Sequence, residues 1–224
     1  MAKCNLCGST EFKDYRGRPN EQCAQCGSKA RHRVGWEIYN SELFPLLKAR
    51  PYARVLHMAP EAALHDRLQK NIGAGYMPSD ASPERYPHAK CIRLFFPQDF
   101  DLFPDGYFDA ILHNHVLEHI PGHYADHLQA FTRLLSPGGR MIFSIPGPYL
   151  DRETQEGGEH FETDAERLEK FLQEDHFKII GSDFPDVLAG LRGGHVVTAD
   201  IGTDRRKELS VRPKKAPFFV WEKD

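Results

Sequence analysis

The spacing of apolar residues changes character twice within residues 107–146, YFDAILHNHVLEHIPGHYADHLQAFTRLLSPGGRMIFSIP. A short apolar run over 108–112 ends on polar residues at Asn114. An amphipathic segment follows, with Leu117, Leu128, Phe131, Leu134 and Leu135 as its apolar positions. Pro137-Gly138-Gly139 then marks a turn, and a second apolar run covers 141–145. Strand, helix, glycine turn and strand in that order predict a βαβ unit, because parallel strands require a crossover. Such a unit is half of a doubly wound sheet.

The flanking pattern extends this sheet in both directions. Residues 53–58 form a short apolar strand running into the turn His57-Met58-Ala59-Pro60-Glu61, with a helix over 62–70 behind it. Residues 75–80 read as a second strand ending on Asp80, and 89–96 as a third, followed by a loop at 97–106. Beyond the opening unit come a polar, glycine-rich loop (147–160), a helix over about 163–175 and a strand at 177–181. Residues 187–212, with glycines and scattered charges, read as an excursion or lid, and the apolar run 217–222 suits a last strand inserted into the sheet. Upstream, Trp36, Ile38, Tyr39, Leu43, Phe44, Leu46 and Leu47 predict a connecting helix, broken near Pro45, over the sheet's edge and the ligand mouth.

At 224 residues the chain has room for one well-buried domain and a small appendage. Its formal charge of -3, with mixed signs, gives no global pull toward nucleic acid or anionic membranes. No apolar run approaches the roughly 20 residues that cross a bilayer. The start at Met1 runs straight into cysteines with no signal-peptide core, so a cytoplasmic protein without membrane partners is expected.

Four of the five cysteines form two C-x-x-C pairs, Cys4/Cys7 and Cys23/Cys26, each followed by glycine. Two such knuckles supply four thiolates for a tetrahedral structural zinc, and reduced cytosolic thiols favour metal over disulfide. A redox pair or an iron site is the alternative. The expected division is a zinc ribbon at 1–32, a linker helix at 33–52 and the sheet domain at 53–224. The ribbon is either a folding staple or a contact for substrate, protein or nucleic acid, the last helped by Lys3, Lys13, Arg16, Arg18, Lys29, Arg31 and Arg33. Cys91 stands alone and reads as a buried strand residue.

Residues 109–119, DAILHNHVLEH, together with Leu134-Leu135-Ser136-Pro137-Gly138-Gly139, resemble the fourth strand and the turn entering strand five of class I S-adenosylmethionine-dependent methyltransferases of the type 11 kind. The resemblance covers roughly 54–184 and implies a Rossmann-like, seven-stranded α/β sheet with helices on both faces. The departure is the first turn, where the family usually carries acid-x-Gly-x-Gly and this chain has H-x-A-P-E. Ala59 is small enough for close approach, Pro60 removes an amide donor, and Glu61 is expected to supply a carboxylate for the cofactor's ammonium. Equally, Glu61 suits a helix amino terminus as a simple acid. Asp80 lies about 20 residues past this turn, where nucleoside-binding sheets place an acid for ribose hydroxyls, a position that an ordinary loop aspartate also explains. The resemblance further implies that His57 belongs to the cofactor cradle, that Gln98 or Asp99 sits near the adenine, and that Asn114 and His115 line the methionine moiety.

His115-Val116-Leu117-Glu118-His119 also matches the H-x-x-E-H zinc-protease pattern, but Pro121-Gly122 ends any helix there. The methyltransferase reading therefore expects the ribbon's zinc and no second equivalent at His115. Histidines at 113, 115, 119, 123 and 127 are mostly helix-end or partly buried residues by this reading. His115 or His119 is the candidate to take a proton from an acceptor hydroxyl or amine, and Tyr149 to line the acceptor pocket. The expected activity is O- or N-methylation of a small molecule or sugar-type metabolite, with a pocket built from the helix before Pro51, the loop 147–160 and the excursion 187–212. A non-catalytic cofactor sensor whose ribbon holds a partner, and a nucleic-acid methyltransferase, are the rivals.

Overall fold

The computed structural model describes residues 1–147, 150–212 and 216–224. Its amino-terminal hairpin pairs β1 (Phe12–Tyr15) with β2 (Arg18–Cys23) in antiparallel register, and Cys23 opens the second cysteine turn. Helix α1 (Ala30–Ile38) leaves this hairpin directly and passes through a π turn (Tyr39–Leu43) into α2 (Phe44–Lys48). Pro45 does not break the helix. It falls in the first turn of α2, where a missing amide costs little, and the Phe44 amide reaches back to the Tyr39 carbonyl across the widened turn.

The main sheet alternates with helices as the apolar periods predict. The elements are β3 (Val55–Met58), α3 (Ala62–Ile72), β4 (Tyr76–Asp80), β5 (Ile92–Arg93), β6 (Phe108–Asn114), α4 (Tyr124–Leu134) and β7 (Leu135–Ser144). After these come α5 (Asp164–Phe171), α6 (Phe184–Ala189), β8 (Gly194–Val197), α7 (Thr203–Glu208) and β9 (Phe218–Lys223). The strand order is β5-β4-β3-β6-β7-β9-β8, parallel from β5 to β7, with β9 antiparallel between β7 and β8. The order reverses between β3 and β6, which leaves a crevice at their carboxyl ends.

Strand alternation divides the core into two layers. Leu56, Met58, Ile111, Met141, Phe143 and Trp221 face α4 and α6. Val55, Ala110, Leu112, Ile142 and Val220 face α1 and α3, in one apolar cluster with Cys4, Leu6 and Cys23 of the hairpin. The hairpin thus shares the sheet's core. Arg33, fully buried, donates to the carbonyls of Ser28 (2.7 Å) and Glu21 (3.1 Å) on the hairpin side and of Leu209 (2.7 Å) and Ser210 (3.0 Å) past α7.

Several expected boundaries are corrected. The third strand shrinks to Ile92–Arg93, both exposed, because only two residues find a partner on β4. No strand forms at 177–181, where Ile179 makes a single bridge to Gln155. Helix α5 stops at Phe171, because Leu172 turns left-handed (φ +66°). The connecting helix packs on a face of the sheet against α3 and β9, not over the edge. Residues 187–212 are no lid: they supply the edge strand β8 and α7. Cys91 is half-buried just before β5. No helix among the described residues is long and apolar enough to cross a membrane.

Replacing Arg33 by alanine strands four backbone carbonyls, three of them in buried bonds, and opens a cavity. We expect a loss of about 3 kcal/mol and cleavage within residues 1–29 by limited proteolysis before the sheet unfolds; unchanged urea midpoints would contradict it.

Candidate functional site

Two adjoining clefts open at the switch point between β3 and β6. The first, of about 440 Å³, runs along the carboxyl ends of β3, β4 and β5, and its walls include Met58, Ala59, Asp80, Tyr86, Phe95 and Gln98. The second, of about 480 Å³, lies between the cysteine hairpin and the sheet and is walled by Tyr15, Arg18, Arg31, Glu61, Asn114 and Glu118, among others. Ala59, His115 and His119 border both. The clefts therefore meet where the two central strands end.

That junction is built from unusual backbone. Ala59 (φ +50°) and His115 (φ +55°) both adopt the left-handed conformation, at about 1–2 kcal/mol for a residue with a Cβ. Each is pinned by a ladder-like bond, Ala59 N–H to the Ser79 carbonyl and His115 N–H to the Ser144 carbonyl, both 2.9 Å. In the first turn, then, alanine takes the conformation that glycine ordinarily supplies.

The first cleft collects several of the expected residues. Asp80, at the end of β4, accepts the Ser82 amide (2.8 Å) and stands beside the Tyr86 phenol. Gln98 lines the cleft, whereas Asp99 folds back to accept the Phe95 amide at 2.6 Å. His57 does not reach either cleft. Alternation along β3 turns it to the α3 side, fully buried, with Nδ1 2.6 Å from the Tyr76 hydroxyl, and burial lowers its pKa to about 4.

Glu61 turns toward the second cleft and α1. Its carboxylate accepts from Arg31 Nε (2.8 Å) and from Asn114 Nδ2 (2.8 Å), and His32 Nε2 lies 3.2 Å away. Nδ1 of His32 accepts the Lys29 amide at 3.2 Å, so the ring is neutral, as its burial favours, and its Nε2–H faces the acid. Burial alone would raise the Glu61 pKa, but His32 and Arg31 outweigh it and hold the carboxyl well below the usual range. Asn114 also donates to the Tyr39 hydroxyl (3.1 Å) in the π turn and accepts from Ser144 Oγ (3.1 Å). This network joins hairpin helix, first turn and β6.

The HVLEH segment is not a helix. Only residues 117–119 form a single 3-10 turn, so His115 and His119 are not successive residues on one helical face, and the protease pattern lacks its geometry. His115 is pushed well below the ordinary imidazole range by burial and by Arg31. Glu118, only 2% exposed, has no hydrogen-bond partner among the described residues for either carboxylate oxygen, His115 Nδ1 lies 3.6 Å from its Oε1, and burial raises its pKa to about 7. His119 Nδ1–H donates to the Asp175 carbonyl at 3.0 Å. Tyr149 lies outside the described residues.

Sequence reasoning missed Asp175 and His176. The chain between Leu172 and Phe177 wraps back onto the 3-10 turn, where the Phe177 amide bonds the Glu118 carbonyl at 2.8 Å, and no local pattern announces that contact. Arg31 was visible only as one of several hairpin cations. The second cleft also departs from the expected acceptor pocket: among the described residues, Gly147 alone of the loop 147–160 lines it, the excursion 187–212 contributes nothing, and the hairpin forms the wall instead.

The four hairpin thiols converge. Cys4 and Cys26 sulfurs are 3.7 Å apart, Cys7 and Cys23 sulfurs 3.5 Å, and all four lie within 4.8 Å of one another. A tetrahedron of thiolates at about 2.3 Å from zinc has edges near 3.8 Å, so the set fits that ion.

The network around Glu61 predicts a pH signature. Arg31→Ala should cost about 1–3 kcal/mol at pH 7. A depressed carboxyl stabilises the fold above its unfolded pKa and ceases to as pH falls through the folded value. The gap to wild type should therefore narrow below about pH 4.3. Urea unfolding at several pH values checks this, and a pH-independent gap would contradict it.

Comparison with known proteins finds the same overall fold. A structure of an S-adenosylmethionine-dependent methyltransferase from Archaeoglobus fulgidus superposes with a TM-score of 0.55 at 14% identity, covering 88% of this chain and 95% of that one. One from Mesorhizobium loti gives 0.53 at 17% identity, covering 85% and 98%. The Burkholderia thailandensis 1,6-didemethyltoxoflavin-N1-methyltransferase, with bound 1,6-didemethyltoxoflavin and S-adenosylhomocysteine, gives 0.50 at 15%, covering 87% and 78%. No curated protein sequence matches this chain. The profile of a family described as a methyltransferase domain matches residues 31–188, which span α1 through most of α6, and the chain belongs to that methyltransferase-domain family.

Proposed function

We propose that this chain transfers the methyl group of S-adenosylmethionine to an oxygen or nitrogen of a small polar acceptor. The observation that carries the reading is the junction of two clefts at Ala59, His115 and His119. The first is walled largely by aromatic and apolar residues, with Asp80 at the end of β4 and Asp175 at its border with the second, a composition that suits a nucleoside. The second is lined by Arg16, Arg18, Lys29, Arg31 and Arg85 against Glu21, Glu61, Glu118 and Asp175, which suits a polar acceptor. In the Burkholderia thailandensis enzyme, S-adenosylhomocysteine and an acceptor are bound together.

The bound cofactor supplies a methyl group already activated on its sulfonium. The residues then have to hold acceptor and methyl in line and exclude water. Asp80 is assigned to ribose hydroxyls and Gln98 to the adenine edge. Glu61 is fully engaged by Arg31, His32 and Asn114, so its part is to brace the first turn and present Arg31 to the second cleft. The hairpin cations wall a cleft of about 480 Å³, which favours a small acceptor over a duplex.

Calorimetry with S-adenosylhomocysteine should show one site per chain, weakened about 10- to 100-fold by Asp80→Ala through loss of charge-assisted hydrogen bonds. Absence of binding by either cofactor form would end the reading.

The hairpin thiolates are assigned a structural zinc. Elemental analysis should find a zinc equivalent in wild type that Cys23→Ser loses. Because Cys4 and Cys23 share a core with α1 and the sheet, chelation should lower the unfolding midpoint of the whole chain; an unchanged midpoint after complete metal removal would refute the structural role.

A further inference from the structure

We propose that Glu118, His119 and His176 form a second metal site, for a divalent transition ion, at the floor of the cleft between hairpin and sheet. Each of the three residues offers one ligand atom, and these atoms lie within 4.8 Å of one another. Donors at about 2.1 Å from one ion are separated by roughly 3–4.2 Å, so closure needs side-chain shifts of less than an ångström. All three residues line the second cleft, and His119 also borders the first.

Among the described residues, neither Glu118 carboxylate oxygen nor His176 Nδ1 has a hydrogen-bond partner, in residues only 2% and 1% exposed, and His115 Nδ1 stands 3.6 Å from Glu118 Oε1. Leaving a carboxyl in that state costs free energy unless something in the cleft satisfies it. His119 is prepared in the manner of a ligand. Its Nδ1–H is committed to the Asp175 carbonyl at 3.0 Å, which leaves the Nε2 lone pair free. The two imidazoles meet edge to face at 4.8 Å, and the Phe177 amide on the Glu118 carbonyl fixes the returning segment against the 3-10 turn.

Two imidazoles and one carboxylate suit zinc, manganese, iron, cobalt or nickel better than magnesium or calcium, and leave coordination positions open. Those positions face the cleft. An acceptor that presents an oxygen there would be oriented toward the junction at His119 and made easier to deprotonate. This role rests on reading the cleft as the acceptor's, but the site itself does not. The pairing is also distinct from H-x-x-E-H, because His176 comes from a segment far along the chain and His115 is not a ligand.

The test uses the full chain with its hairpin metal in place, titrated with Mn2+ and followed by the electron paramagnetic resonance of free Mn2+. The same samples are titrated calorimetrically with S-adenosylhomocysteine. Wild type should bind one Mn2+, and Glu118→Gln and His176→Ala should weaken it at least about tenfold. Mn2+ should raise the thermal midpoint of wild type but not of Glu118→Gln. Should His176→Ala fail to fold, His119→Gln replaces it. No Mn2+ bound by wild type up to millimolar concentration, or equal binding by wild type and variants, overturns the site. Protein that binds S-adenosylhomocysteine without Mn2+ loses this site alone; protein that binds Mn2+ without S-adenosylhomocysteine keeps the site and loses the methyl-transfer reading.

Discussion

Everything around the two clefts depends on where the Glu61 carboxylate is held. It begins the helix after the first strand, yet its partners are Arg31 and His32 from the helix that leaves the cysteine hairpin and Asn114 from the end of β6. A carboxylate in a side chain only 11% exposed is tolerated only with such donors around it. Meeting that requirement draws the hairpin helix down onto the sheet, aligns the ends of β3 and β6, and sets Arg31 in the wall of the second cleft. The Tyr39 hydroxyl, in the π turn, completes the set through Asn114.

This makes the cysteine hairpin part of the site. An appendage held by a linker would contribute recognition only by moving. Here Arg33 stitches the hairpin to the segment after α7, and Cys4 and Cys23 pack with Val34, Leu64 and Val220. A metal on the four thiolates would therefore stabilise the wall of a cleft on the sheet, coupling metal content to the shape of the site.

The local excess of histidines separates by environment. His113 is stacked between Phe131 and Phe143 in the core, His127 donates to the Pro121 carbonyl, and His123 pairs with Glu156 at the surface. These three serve the fold. His115 and His119 are set apart because β6 ends there, His115 in a left-handed turn and His119 in a 3-10 turn, so both rings reach the clefts.

Period and punctuation in the sequence determined the fold: apolar runs too short for anything but strands, an amphipathic α4 between β6 and β7, the Pro137-Gly138-Gly139 turn and the late apolar strand that inserts as β9. These are local properties of the backbone and of burial, so they can be read residue by residue. The C-x-x-C pairs, Asp80 and the ends of β3 and β6 were legible for the same reason, since their positions follow from strand ends and short spacings. Only the tertiary structure decided that His57 is buried beneath α3, that Asp99 is spent on its own loop, and that Glu61 faces Arg31. It also placed the hairpin as a cleft wall and brought His176 beside Glu118 and His119. Each of these depends on contacts between segments far apart in the chain, where packing and charge satisfaction choose among side-chain directions that the local sequence leaves equally open.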